Sequence, residues 1–274
     1  MSVSNHGSAL GEAVGNIIEN ALNDSIKGIT DSLGYLYITA GPINHKTNKN
    51  TKLLLYDDNG VGYSIDSVIA NEKLQPLILL ESKYIRYKKH NRDKGSWVCT
   101  AHQSLRKRYS SVRSSITILA GSWSSTSKAM MRGADITLFE IPFDSICDIL
   151  EKHNIIFRWD EKDTKTSETS WKIYNQLSQS ERELIGKEII DPIIESLNVT
   201  IEKILDDTIE RTISYVEIQV FTNLGETKIF KFDLVQDALE FLQNVTNEEL
   251  LDNKNSPTLF DTTLILEDTT LDDF

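Results

Sequence analysis

The sequence predicts a mixed α/β fold, with a mixed central sheet flanked by helices and a helical and β-hairpin C-terminal region. Three features support this prediction. The nearly continuous apolar run Leu77–Leu80 is typical of a strand that is buried on both faces. Asn59-Gly60 is a strong hairpin signal between two strand-like segments. Helical and strand periods then alternate along the chain as far as residue 152.

The first predicted element is a helix over residues 9–22, because its apolar residues fall within one arc of a helical wheel. Glu12 and Glu19 lie on the opposite side, so both are expected to be solvated. Two strands, over 52–56 and 62–69, are expected to form a hairpin around the turn at residues 57–60.

The third strand covers residues 77–83, and a helix over 96–112 follows it. Trp97 belongs to the apolar arc of this helix, and Arg108 also falls inside the arc, where an unpaired charge is costly. Arg108 therefore either reaches solvent near the helix end or is held by a carboxylate or phosphate. The next predicted elements are a strand over 116–120, a helix over 124–132, a strand over 135–141 and a helix over 143–152.

The remainder of the chain changes character and carries no chemical motif. We predict a polar linker over 160–168, helix over 170–206 interrupted near Pro192, and a hairpin of strands 215–222 and 226–232. A helix over 233–244, a strand over 258–266 and a frayed acidic tail complete the chain. The predicted division is a core domain over residues 1–155 and an acidic dimerisation or accessory region over 156–274.

Charge is distributed very unevenly. The net charge is −12, yet residues 82–132 hold twelve Lys or Arg against one acidic residue, a local charge of +11. Residues 133–274 hold 12 basic and 31 acidic residues, a charge of −19. Because salt screens each charge beyond about 8–10 Å, the local field decides whether a polyanion binds. The basic segment is therefore either a binding surface for a polyanion or a solvated helix neutralised by the acidic half.

Other features of the sequence narrow the class of protein to which the chain can belong. No apolar run approaches the ~18 residues that a membrane span needs, and the N-terminus lacks a signal pattern. Cys99 and Cys147 form neither a disulfide framework nor a zinc motif, which favours an intracellular location. No ATPase motif GxxxxGK[ST] is present.

One group of residues has the pattern of a catalytic site. Asp66 is followed, after fourteen residues, by Glu81-Ser82-Lys83 at the end of the apolar third strand. Residues at i and i+2 of a strand share a face, so Glu81 and Lys83 project together. If the strand ending at Asp66 pairs with this one, two carboxylates and an ammonium converge. Such a group can hold a divalent cation and a reactive water beside a phosphate.

This pattern resembles the PD-(D/E)xK nuclease superfamily, most closely the type II restriction endonucleases, over about the first 150 residues. Ile65 stands in place of the proline of the family name. The resemblance implies a restriction-endonuclease-like core with Asp66, Glu81 and Lys83 as catalytic residues. The side chains of Asp66 and Glu81 and the carbonyl of Ser82 would bind Mg²⁺, with Mn²⁺ as a substitute. In relatives an acidic residue of the first helix sometimes assists, which makes Glu19 a weak candidate.

The implied activity is hydrolysis of double-stranded DNA at a specific short sequence, leaving 5′-phosphates. Reading a palindrome and cutting both strands would suit a homodimer, and the implied location is cytoplasmic, with the nucleoid. The DNA-binding candidates come from the basic segment and its helix: Lys88, Lys89, Arg92, Lys94, His102, Arg106, Arg108 and Arg113.

Three alternatives stay open. The chain could be a repair or recombination nuclease of the same superfamily, or a non-catalytic DNA-binding module. In the third alternative Glu81 and Lys83 form an ordinary ion pair on an edge strand, and such surface pairs contribute only ~0–1 kcal/mol.

Overall fold

A computed structural model describes residues 5–44, 47–87, 91–160 and 163–252, together with Ser256 and Thr258. The chain forms two compact units, unit 1 up to Leu205 and unit 2 from Asp206. The sequence placed a domain boundary at residue 155, whereas the compact units divide 50 residues later. Within the described ranges, no helix is both long and apolar enough to cross a membrane.

In the described part of the chain, helices and strands alternate from residue 76 to residue 152, whereas seven consecutive strands follow the first helix and three consecutive helices follow the strand that ends at residue 142. The helices are α1 (His6–Ser32), α2 (Asn91–Arg108), α3 (Ser125–Gly133), α4 (Phe143–Lys152), α5 (Thr164–Gln176), α6 (Gln179–Leu205), α7 (Val235–Asn244) and α8 (Asn247–Leu251). The strands are β1 (Leu36–Ile38), β2 (Ile43–Asn44), β3 (Lys49–Asn50), β4 (Leu54–Tyr56), β5 (Gly62–Ser64), β6 (Ser67–Ala70), β7 (Pro76–Ile85), β8 (Ser114–Gly121), β9 (Thr137–Pro142), β10 (Val216–Phe221) and β11 (Thr227–Phe232).

Unit 1 is built on a five-stranded sheet in the order β1-β6-β7-β8-β9. The pairs β1–β6 and β6–β7 are antiparallel, whereas β7–β8 and β8–β9 are parallel. Because α2 connects β7 to β8 and α3 connects β8 to β9, each parallel pair is joined through a helix, as parallel strands require. The predicted mixed central sheet flanked by helices is confirmed.

β7 lies in the middle of the sheet and is covered on both faces. Ile78 and Leu80 belong to a core cluster with residues of α1, α4 and α6. Leu79 points to the opposite face and packs with residues of α2. The prediction that the apolar run is buried on both faces is therefore confirmed, and it fixes the position of the residues that follow the run.

Several elements differ from their predicted bounds. α1 continues to Ser32 because Ile26 and Thr30 extend its buried stripe. α2 covers residues 91–108 instead of 96–112, and the predicted burial of Trp97 is wrong, since this residue is 45% exposed. The predicted interruption at Pro192 is also wrong. α6 runs through this proline without a break, and the helices separate before it, between Gln176 and Gln179.

Asp66 also differs from its predicted position, and the region between β4 and β6 shows why. β4 and β5 form the predicted hairpin, with Gly60 at φ +79° in its turn. Asp57 accepts hydrogen bonds from two backbone amides of this turn, as expected for a turn residue. However, β5 ends at Ser64 and β6 begins at Ser67, so Asp66 lies in a bend between two strands instead of at the end of one.

Unit 2 contains the antiparallel hairpin β10–β11 and α7, which confirms those predicted elements. Phe241 of α7 packs on Phe230 and Phe232, with ring centroids 4.7 and 5.1 Å away. The predicted strand over 258–266 and the acidic tail lie outside the described residues, apart from Thr258.

Candidate active site

The carboxyl-terminal half of β7 brings the three predicted catalytic residues together. Ser67 is paired with Leu80, so the bend that holds Asp66 lies beside Glu81. Lys83 Nζ lies 2.8 Å from Asp66 Oδ2 and also forms an ion pair with Glu81 Oε2. The backbone N–H of Ser82 donates to Asp66 Oδ2 at 3.0 Å. Asp66 is thus held by both the backbone and the side chains of β7.

The two carboxyl groups differ in their surroundings. The Glu81 side chain is completely buried, while that of Asp66 is 32% exposed. Burial raises the pKa of Glu81 to about 8, against the opposing effect of Lys83. Burial also acts to raise the pKa of Asp66, but Glu81, Lys83 and the Ser82 amide together hold it below its usual range. The pair therefore combines one readily ionised carboxylate with one carboxyl that retains a proton near neutrality.

Lys83 is charged in this arrangement. Burial alone would lower its pKa, but the carboxylates of Glu81 and Asp66 outweigh burial and raise it. The ammonium is the cation that both acidic side chains contact, and Asp66 is the readily ionised one of the two.

Two residues of α1, Glu19 and Asn23, lie in the surroundings of the site. Glu19 has a raised pKa, chiefly because of burial and also because Asp66 is near, while Lys83 opposes the shift. Tyr37 of β1 has its hydroxyl 2.6 Å from Asn23 Oδ1 and 3.0 Å from Ser67 Oγ. The Tyr37 hydroxyl therefore links α1 to the first residue of β6, directly beside Asp66.

The side-chain chemistry suits Mg²⁺ or Mn²⁺. Oxygen ligands are the donors these ions prefer, and Asp66 and Glu81 supply carboxylates at one point. Both oxygens of Glu81 are buried and meet no hydrogen-bond donor in the described part of the chain except the Lys83 ammonium. A third acidic, histidine or cysteine side chain placed to share a metal with them is not found among the described residues. The Ser82 carbonyl is the remaining predicted ligand; the contact seen at Asp66 is made by its N–H.

Comparisons with known proteins give little further information. No family model and no curated protein matches the chain. The crystal structure of a protein of unknown function, AF1548, aligns with 65% of this chain and 99% of its own, with a TM-score of 0.31 and 11% identity. Similarity at this level carries no argument about fold or function.

Two of the predicted DNA-binding residues, Arg92 and Lys94, are exposed in the first turn of α2. Lys94 lies beside the site: its Nζ is 3.4 Å from the carbonyl oxygen of Tyr84, and partial loss of solvent around the ammonium, together with the nearby Lys83, lowers its pKa. Lys88 and Lys89, which precede this turn, lie outside the described residues.

The other four predicted DNA-binding residues are engaged within the protein. His102 is fully buried, so the prediction that it contacts DNA is wrong for this conformation. Arg106 forms an ion pair with Asp135 at 2.7 Å. Arg108 donates to the Asp57 carbonyl at 2.8 Å and forms an ion pair with the Asp58 carboxylate at 3.9 Å, so it is held by a backbone group together with the expected kind of carboxylate partner.

Arg113 lies beside the start of β7, where its backbone N–H donates to the carbonyl oxygen of Leu77. Its guanidinium donates to the carbonyl oxygen of Ile204 at 2.9 Å, in the last turn of α6. A cation near the carboxyl end of a helix stabilises its unpaired carbonyls. This contact gives Arg113 a structural role.

The sequence analysis did not identify the polar residues of β8. Thr117 is the register partner of Glu81 and is fully buried, as is Ser115 two positions earlier. The sequence did contain a signal for them. Ser115 and Thr117 occupy alternate positions of a mainly apolar strand, and alternate residues share one face of the sheet, which places the two hydroxyls on the same face.

Proposed function

We propose that this protein is a Mg²⁺-dependent endonuclease with a restriction-endonuclease-like core, which hydrolyses double-stranded DNA at a specific short sequence. The observation that carries the proposal is the contact of Lys83 with both Asp66 and Glu81 at the end of a buried strand. Burying the Glu81 carboxyl completely, next to a partly buried ammonium and a second carboxyl group, is costly, and a surface ion pair would not require it. The order of elements supports the proposal, since an antiparallel β6–β7 pair leads through α2 to the parallel strand β8.

In this proposal Asp66 and Glu81 hold the divalent cation, with the Ser82 carbonyl as a further ligand. The ion would acidify a water and neutralise charge that develops on the phosphate. Lys83 would transfer its hydrogen bonds from the carboxylates to the attacking water or to a phosphate oxygen. Arg92 and Lys94 contact the DNA backbone beside the site, and the products carry 5′-phosphates.

Cutting both strands of a palindrome is most simply achieved by a C2 homodimer in which each subunit supplies one site. The acidic C-terminal region, which is a poor surface for DNA, would provide the dimer contact. The expected solution mass is about twice 31.1 kDa. A monomer on DNA that only nicks one strand would favour a repair nuclease instead.

The test is incubation of the full chain with a long mixed-sequence duplex in Mg²⁺, in Mn²⁺ and in chelator. Discrete fragments in either metal and none in chelator would support the proposal, provided that Lys83→Ala produces none under the same conditions. Binding of the duplex without any cleavage would favour a DNA-binding module. Equal cleavage in chelator would remove the metal from the mechanism.

A further inference from the structure

The sheet face that carries Glu81 holds an unusual group of buried polar residues between the sheet and α2. Alternate residues of β7 and β8 face α2, and the parallel register pairs Leu79 with Ser115 and Glu81 with Thr117. Leu119, two residues after Thr117 on β8, completes this strip. The strip therefore has an apolar residue towards each end, Leu79 on β7 and Leu119 on β8, and only polar residues, Glu81 and Thr117, in the middle.

α2 lies across this strip in the reverse direction. Its residues Ala101 and Leu105 pack in a cluster with Leu79. Its earlier residue Val98 packs in a cluster with Leu119. His102 lies between these two contacts on the inner side of α2 and is fully buried.

His102 must therefore face the middle of the strip, where Glu81 and Thr117 lie. The electrostatic influence of Lys83 and Asp66 on the imidazole agrees with this position. Burial, more than these charges, lowers the pKa of His102 to about 4, so the ring is neutral and carries one N–H donor and one acceptor.

The hydrogen-bonding groups in this strip are unsatisfied by the surrounding protein. Both ring nitrogens of His102 and the hydroxyl of Thr117 are buried and have no hydrogen-bond partner among the described residues. Leaving a buried polar group without a hydrogen bond is costly, so groups of this kind call for a functional explanation. Glu81 supplies one, because an ionised carboxylate can accept about four hydrogen bonds.

We propose that Thr117 and His102 are positioning residues that donate hydrogen bonds to one oxygen of Glu81 while its other oxygen binds a divalent cation. This inference rests on the proposed function. When the cation replaces Lys83 as the partner of Glu81, the carboxylate must be ionised in a buried place. A hydroxyl and an imidazole N–H can stabilise it there without adding positive charge that would repel the cation.

The experiment measures Mn²⁺ binding to the full chain without DNA, by electron paramagnetic resonance of the free ion. Thr117→Val keeps the shape of the side chain but removes the hydroxyl, and we expect about tenfold weaker binding, the lower end of the range for losing an outer hydrogen bond to a ligand. Thr117→Ser keeps a hydroxyl at this position and should bind Mn²⁺ within about twofold of the original chain. His102→Leu should weaken binding in the same way as Thr117→Val.

Ser115→Ala is the matched control, because it removes a buried, unpartnered hydroxyl from the same face beside Leu79 instead of Glu81. Its Mn²⁺ affinity should be unchanged. The inference is overturned if Thr117→Val binds Mn²⁺ as tightly as the original chain, or if Ser115→Ala weakens binding equally. Failure of the proposed function is a different result: the unaltered chain itself would bind no Mn²⁺.

Discussion

Unit 1 and unit 2 differ most in how deeply they bury side chains. Unit 1 has core clusters on both faces of its sheet, and strand residues such as Ile78 and Leu80 are almost completely buried. In unit 2, Ala238 is the only residue of the described range 206–252 that is buried to this degree. Its three packed phenylalanines are only partly covered.

This difference bears on the candidate site, which lies in unit 1. The pKa of a carboxyl group shifts strongly only where water is excluded and fixed charges lie close by. The site on β7 meets both conditions, because the strand is covered on both faces and Lys83 contacts two carboxyl groups. The layer formed by β10–β11 and α7 in unit 2 leaves its charged side chains in contact with water.

The largest expected effect is the loss of cleavage when the site is altered. Asp66→Ala and Lys83→Ala should each lower the cleavage rate at least about 10²- to 10³-fold, because each removes charge stabilisation in a buried site. Binding of duplex DNA should persist, since Arg92 and Lys94 are unchanged. Gel assays of cleavage and binding on the same preparations test this, and near-normal cleavage by Lys83→Ala would show that the site is assigned incorrectly.

The next prediction compares the two cores directly. Leu80→Ala should lower the unfolding free energy of unit 1 by about 2–5 kcal/mol, because the Leu80 side chain is fully buried. Phe241→Ala in unit 2 should cost less than the ~3–5 kcal/mol expected for a fully buried phenylalanine. It should also leave Mn²⁺ binding unchanged. Urea unfolding followed by circular dichroism measures both costs, and tryptophan fluorescence follows unit 1, which holds all four tryptophans. A loss of Mn²⁺ binding in Phe241→Ala would contradict the proposed placement of the metal site in unit 1 alone.

The sequence was sufficient to predict most of unit 1 because its signals are local. The apolar run before Glu81 and the Asn59-Gly60 turn each identify one element without knowledge of the rest. The end of α1 could not be predicted, because Ile26 and Thr30 become core residues only when the other elements pack on them. The continuation of α6 through Pro192 also depends on tertiary packing, which overrode the local cost of proline.

The site was predictable in part for a similar reason. The spacing of Asp66, Glu81 and Lys83 along the chain indicated that they could meet. The burial of His102 and the partner of Arg113 could not be inferred, because a basic segment shows charge but does not show which of its residues face inward. Burial of His102 and the contact of Arg113 with the end of α6 arise from packing between elements distant in sequence.

A smaller effect is expected from pH. Because the pKa of Glu81 is raised to about 8, cleavage at low Mg²⁺ should rise about tenfold per pH unit below that value and then level off. Saturating Mg²⁺ should move the profile to lower pH, since the cation competes with the proton. A profile that does not change with Mg²⁺ concentration would show that Glu81 is not a ligand.

The same shift affects stability, with the opposite sign. Glu81 binds its proton more tightly in the folded protein than in the unfolded chain, where its pKa is close to the ordinary value of 4.5. Its contribution to stability is therefore present at low pH and is lost as pH rises towards about 8. Asp66, whose pKa is lowered, acts in the other direction below its ordinary value of 3.8. Urea unfolding of the metal-free chain at several pH values tests the Glu81 contribution, which should be absent in Glu81→Gln.

The smallest expected effect separates the cations beside the site from those held within the protein. Lys94→Ala should weaken duplex binding and lower the slope of log affinity against log salt concentration by about 1, because one phosphate contact is lost. Arg113→Ala is the matched control of equal charge change. It should leave the salt slope unchanged and instead lower the unfolding free energy, since Arg113 donates to Ile204 at the end of α6. Fluorescence anisotropy across a salt series measures both slopes. If Arg113→Ala lowered the slope as much as Lys94→Ala, the DNA would have to reach both ends of β7, and the assignment of the binding surface to the first turn of α2 would be wrong.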